Sequence, residues 1–73
     1  MDVPAFTRAR GRVASFDDPR GIGTIAVDGG AEVGFHCTQI ADGTRTIAVD
    51  AAVTFTIVAG RLGRWEATDI RPA

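Results

Sequence analysis

Hydrophobic and polar positions alternate most regularly in the second half of the chain, where Val53, Phe55 and Ile57 are interleaved with Thr54 and Thr56. A period of two is the signature of a strand with one buried face. The same period predicts a strand over Glu32 to Cys37, with Val33 and Phe35 on the core face and Gly34 and His36 on the other. Ile22 to Val27 reads as a further strand, joined to it through Asp28-Gly29-Gly30, a sequence suited to a hairpin turn. A first strand from about Arg8 to Phe16, with Val13 inward, and a last from about Trp65 to Arg71 make five. Turn-forming clusters separate them: Asp17-Asp18-Pro19-Arg20-Gly21, Asp42-Gly43 and Gly60-Arg61-Leu62-Gly63.

No window predicts an amphipathic helix. Thr38 to Ala41 is long enough for one turn at most, and Ala48 to Ala52 runs into the fourth strand. An isolated hairpin is marginal in water, so five short strands have to pair into a sandwich or close into a barrel. At 73 residues there is material for one core. Cys37 is the only cysteine, which excludes an internal disulfide framework and a multi-cysteine zinc site and suits a reducing cytosol. With no apolar run of roughly 20 residues and no export signal, the expectation is a cytoplasmic, unanchored domain. Its barrel is expected over residues 11–73, after an N-terminal extension, residues 1–10, whose Phe6 could cover a barrel edge.

Charge narrows the functional classes. A formal net charge of −1 removes bulk attraction to polyanions, so any phosphate contact has to be local. All eight basic side chains are arginines, and they are unevenly spread: Arg8, Arg10 and Arg12 alternate near the start, Arg20 stands in the first turn, and Arg61 and Arg64 share a late loop. Each also reads as ordinary solvated charge.

Four motifs then align with one family. Gly11-Arg12-Val13-Ala14-Ser15-Phe16-Asp17 resembles the Gly-x-Val-Lys-Trp-Phe-Asn opening of bacterial cold-shock proteins. Arg20-Gly21-Ile22-Gly23-Thr24-Ile25 resembles their first ribonucleoprotein motif, Lys-Gly-Phe-Gly-Phe-Ile, and Val33-Gly34-Phe35-His36-Cys37-Thr38 the second, Val-Phe-Val-His-Phe-Ser. Asp50 to Gly60 is similar to the family's Gly-x-x-Val-x-Phe-x-Val-x-x-Gly strand. The resemblance covers Gly11 to Ile70, with about one deletion near Ala41 and one insertion near Trp65. It implies an all-β fold, a five-stranded antiparallel Greek-key barrel of the oligonucleotide-binding type.

The resemblance also implies single-stranded RNA or DNA as partner, with bases stacked on aromatics of the second and third strands. This chain departs from the family on that surface. Ser15 stands at the family's tryptophan, Ile22 and Thr24 at the phenylalanines of the first motif, and Gly34 and Cys37 at those of the second. Phe35 cannot compensate, since alternation turns it to the core. Phe16, Arg20 and His36 survive, together with Arg12 and Arg45, while Arg61 and Arg64 are placed to track phosphates. Trp65, not at a family aromatic position, either supplies a replacement ring or packs over a barrel end. Each base stacked on an aromatic contributes roughly 1–3 kcal/mol, so losing several rings predicts weak, largely sequence-independent binding. The alternative is a barrel that has lost nucleic-acid binding and uses the Ile22, Thr24, Gly34 and Cys37 surface for a protein partner or for homodimerisation.

Other signals are weaker. Gly21-Ile22-Gly23-Thr24-Ile25-Ala26 has the letters of a dinucleotide fingerprint, but Gly29 and Gly30 end the segment before a helix can form. Adjacent residues of a strand point to opposite faces, so His36 and Cys37 are not expected to share a metal. Asp17 and Asp18 precede Pro19-Arg20-Gly21 and read as turn chemistry. No cofactor and no enzymatic activity are expected. The glycines of the Gly21 to Ala26 segment are expected instead to let a strand bend and let ligand or neighbouring side chains approach the backbone, and Gly34 is a second place where another backbone could approach.

Overall fold

The structure, a computed structural model, describes residues 8–60 and 63–73. Strands β1 (Arg8–Asp17), β2 (Ile22–Val27), β3 (Glu32–His36), β4 (Ala52–Ala59) and β5 (Trp65–Pro72) close into a barrel in the order β1-β2-β3-β5-β4. The pairings β1–β2, β1–β4, β2–β3 and β4–β5 are antiparallel, whereas β3 and β5 run parallel. This exception follows from parity: directions cannot alternate all the way round a closed ring with an odd number of strands. The parallel seam is narrow, with Gly34 opposite Glu66 and an isolated bridge from Ile40 to Ile70 beyond it. Closure removes the free edges that would otherwise recruit further strands.

The strand boundaries follow the hydrophobic pattern with local departures. β1 pairs Arg8, Ala9 and Arg10 with Thr56, Phe55 and Thr54, so the last three residues of the expected extension lie in the sheet. Phe6, the expected edge cover, lies outside the described residues. The segment resembling a dinucleotide fingerprint forms β2, and no helix follows it before the turn to β3. β3 stops at His36, one residue before its expected end, because Cys37–Gln39 forms a 3-10 turn whose second amide, that of Thr38, donates to the His36 side chain. In the connector to β4, the Thr44 amide donates to Asp42 Oδ1 at 3.0 Å, which holds that carboxyl below its ordinary pKa. Asp50 ties the same connector back to the barrel by donating its amide to the Val13 carbonyl at 2.7 Å.

The core consists of Val13, Ile25, Val33, Phe35, Ile40, Val53, Phe55, Ala67 and Ile70. Phe35 is inside, as its strand period requires. Alternation in β4 is less strict than its sequence suggests, since Thr56 is buried and Ile57 only partly so. Thr56 is covered by Arg8, whose guanidinium lies along β4. It donates to Thr54 Oγ1 at 2.8 Å and Thr56 Oγ1 at 3.3 Å, and pairs with the Asp69 carboxylate at 3.0 Å. Arg8 therefore links β1, β4 and β5 instead of standing as solvated charge.

A β-bulge decides the inner face of β1. Val13 pairs with Ile25 and Ser15 with Thr24, leaving Ala14 as the extra residue. Simple alternation from Val13 would turn Ser15 inward and Phe16 outward. The inserted residue reverses that, so Val13 and Phe16, three positions apart, both face the core. Phe16 then lies opposite Gly23, and its ring stacks on Phe35 with centroids 5.9 Å apart and planes 3° from parallel. Gly23 makes room for this stack, because a Cβ there would sit 2.7 Å from Phe35 Cζ. At Gly34, on the opposite side of the pleat, a Cβ would meet only the Gly23 carbonyl oxygen at 3.8 Å, an ordinary contact. The close approach thus falls at Gly23, as expected for the glycines of this segment, and not at Gly34.

This contrast predicts opposite responses to one added methyl group. Gly23→Ala should lose about 1–3 kcal/mol, the usual cost of overpacking, while Gly34→Ala should leave stability within about 0.5 kcal/mol or raise it. Urea unfolding of the two variants beside wild type measures this, and equal losses would contradict the assignment of the two faces.

Candidate nucleic-acid interface

Outward-facing residues of neighbouring strands line up in rows across the barrel. One row holds Asp17, Ile22 and His36, the next Ser15, Thr24, Gly34 and Glu66, and a third Arg12, Ala26 and Glu32. An open groove of about 660 Å³ lies over the middle of this surface. Its lining brings together Ile22, Thr24, Gly34, His36, Arg64 and Trp65 from among the expected site residues, and adds Glu32 and Glu66.

The groove is built on a bare floor with one ring at its rim. Gly34 contributes backbone only, and Ile22, 44% exposed, contributes an aliphatic surface. Ser15 and Thr24, both at positions where the family displays aromatic rings, are joined by a hydroxyl hydrogen bond of 2.9 Å and make a polar shelf. Trp65 is 61% exposed and lines the groove, which answers the sequence alternative in favour of an accessible ring over one packed on a barrel end. His36 Nδ1 accepts the Thr38 amide at 3.2 Å and lies 2.9 Å from Thr38 Oγ1. In the neutral ring this places the N–H at Nε2, as a donor for a ligand.

Several expected residues lie elsewhere. Phe16 is turned to the core side by the bulge and half-buried against Phe35, so it is not an outer stacking ring. Arg12 donates to the Asp50 carbonyl at 3.0 Å, which draws it toward the β3–β4 connector. Arg20 occupies the exposed β1–β2 turn, where its Nε lies 3.7 Å from Asp17 Oδ2. Arg45 lies in the β3–β4 connector with a left-handed φ of 63°. Of the paired loop arginines, Arg64 reaches the groove and Arg61 lies outside the described residues. The opposite-face expectation for His36 and Cys37 also fails. The strand ends between them, and the turn brings Cys37 Sγ to 3.9 Å from His36 Nδ1. Among the described residues, no group of three or more His, Cys, Asp and Glu side chains is arranged to hold a metal ion.

Glu32 and Glu66 are the charged groove residues that sequence reasoning missed. Glu32 was legible, since it shares the outward period of Gly34 and His36 on β3. Glu66 was not, because its place depends on the parallel seam between β3 and β5. Two carboxylates facing Arg64 and His36 give a groove of mixed sign. It is not a uniformly basic channel.

A closed five-stranded barrel with an open, ring-bearing groove across β2, β3 and the start of β5 defines a small domain of the oligonucleotide-binding fold. The family described as the "cold-shock" DNA-binding domain matches residues 9–73, and the chain belongs to that family. It is 40% identical over 55 residues to the cold shock protein CspB of Bacillus caldolyticus, covering 74% of this chain and 83% of that protein. It is also similar in structure to the drosophila Unr CSD456 chain, with a TM-score of 0.76 and 28% identity over 93% of its length. The chain spans 27% of that Unr chain. Among the described residues, no helix is long and apolar enough to cross a membrane.

Proposed function

We propose that this chain is a cytoplasmic, non-enzymatic module that binds single-stranded RNA or DNA weakly, in the groove between β2, β3 and the start of β5. The observation that carries this reading is Trp65, an exposed ring at the edge of a groove on the surface that resembles the family's stacking face. A base would stack on Trp65 above the bare backbone of Gly34. Ile22 would give apolar contact and His36 Nε2 a hydrogen bond. Arg64 would meet the nearest phosphate, and Arg20 and Arg12, outside the groove lining, would contact the strand beyond it. Arg45, in the β3–β4 connector, would add long-range attraction. Stacking is sequence-tolerant because every base has a π-face, and one ring in place of several makes the interaction weak. The alternative reading, a partner-binding or homodimeric barrel, gains nothing from the family match or from either relative.

A short single-stranded oligonucleotide should quench the emission of Trp65, the only tryptophan, at low salt, and the response should fade as salt rises because phosphate contacts release counterions. No response, accompanied by concentration-dependent dimerisation in sedimentation, would favour the alternative.

Restoring rings should strengthen the same interaction. Ser15→Trp, Thr24→Phe and Gly34→Phe together are expected to raise affinity for a thymine-rich or uracil-rich strand at least about tenfold, since two stacked bases at roughly 1–3 kcal/mol each exceed the 1.4 kcal/mol required. The open space above Gly34 admits the new ring. Wild-type affinity in a correctly folded triple variant, measured by fluorescence anisotropy, would count against this surface as the binding face.

A further inference from the structure

Resting on the nucleic-acid reading above, we infer that Glu66 gives the groove a base preference. Beside Trp65 it selects a base whose edge carries an amino group, cytosine among the pyrimidines, over one that presents a carbonyl there, uracil or thymine. Trp65 and Glu66 are consecutive at the start of β5, and both line the groove. Glu66 stands directly opposite Gly34 across the parallel seam, and its side chain leans along β5 toward Gly60. Its carboxylate also has a defined seat. A Cβ on Gly60 would lie 2.5 Å from Glu66 Oε2, so the bare glycine at the end of β4 accommodates the acid group. Among the described residues, the carboxylate accepts no hydrogen bond from another side chain.

Trp65 pairs with Ala59, the neighbour of Gly60, so a base stacked on Trp65 has the carboxylate beside its edge. A carboxylate only accepts hydrogen bonds. The N4 amino group of cytosine donates to such an acceptor. Uracil has O4 at the same place, which sets a lone pair against a negative charge, and its one donor on that edge, N3–H, is flanked by O2 and O4, both of which repel the carboxylate. Cytosine and uracil match in ring size and backbone, so their stacking on Trp65 and their phosphate contacts are closely alike. The difference in binding isolates this one edge. Glu32, the second carboxylate of the groove, lies two positions along β3 from Gly34 and has no ring adjacent to it in sequence.

The test uses oligodeoxycytidine and oligodeoxyuridine of equal length, titrated against the full chain at slightly alkaline pH and low salt, with Trp65 emission and anisotropy as readouts. Wild type should bind the cytidine strand at least about fivefold more tightly, the lower end of what one well-placed contact to a base edge provides. Glu66→Gln, whose amide both donates and accepts, should bring the two affinities to within about twofold while leaving the fold intact by circular dichroism. Equal or tighter binding of the uridine strand by wild type, or a cytidine preference that survives Glu66→Gln, overturns the inference while leaving the nucleic-acid reading in place. Failure of both strands to bind a folded protein overturns the two together.

Discussion

The ring of Phe35 passes beneath Gly23 and stacks on Phe16, and this contact governs both sides of the sheet. Inside, it gives a short chain a large apolar contact between β1 and β3 across the glycine of β2, where a β-branched or aromatic residue would hold the strands apart. It requires the β1 bulge as well, because only an extra residue between Val13 and Ser15 turns Phe16 inward. The four features, glycine, bulge and two rings, act as a unit. A domain of this size has about 4–11 kcal/mol of stability in all, at roughly 0.05–0.15 kcal/mol per residue, so loss of the stack would consume a large part of it.

The outside follows from the same arrangement. With both phenylalanines directed inward, the outer faces of β1, β2 and β3 carry Ser15, Thr24, Gly34 and Ile22, and the accessible ring comes from the start of β5. On the proposed reading, binding is thereby moved toward the seam where β3 meets β5. That seam is the parallel junction a five-membered ring must contain, and a residue from each side of it, Gly34 and Glu66, borders the groove. Arg8, linking β1, β4 and β5 through Thr54, Thr56 and Asp69, holds the other side of the barrel closed. A net charge of −1 fits this picture: among the described residues one arginine, Arg64, lines the groove, and affinity would have to come from a ring and local contacts more than from the field of the whole molecule.

Much of the fold was legible in the sequence because strand periodicity and turn chemistry are local. Phe35 could be assigned to the core from its neighbours alone, and the hairpin from Asp28-Gly29-Gly30. What escaped was non-local. Nothing in Val13-Ala14-Ser15-Phe16 marks Ala14 as the bulged residue, so the inward turn of Phe16 emerged only from the register against β2. Glu66 gained its position from closure of the ring, and Arg8 its role from residues 46 to 61 positions away. Trp65 could not be assigned by alternation at a strand's first residue, where the loop before it fixes the direction. The arginines illustrate the general difficulty. Charge on a sequence does not reveal whether a neighbouring carbonyl or carboxylate will claim it, as Asp50 claims Arg12 and Asp17 lies beside Arg20.

The central claim is that a single strand lies across β2, β3 and the start of β5. Amide chemical-shift mapping by NMR during titration with a short single-stranded oligonucleotide tests it most directly. The account predicts the largest shifts at Ile22 to Thr24, Gly34 to His36 and Arg64 to Glu66, together with the Trp65 indole N–H, and small ones along Thr54 to Val58. Shifts concentrated instead around Arg8, Arg10, Thr54 and Arg71, on the far side of the barrel, would contradict it.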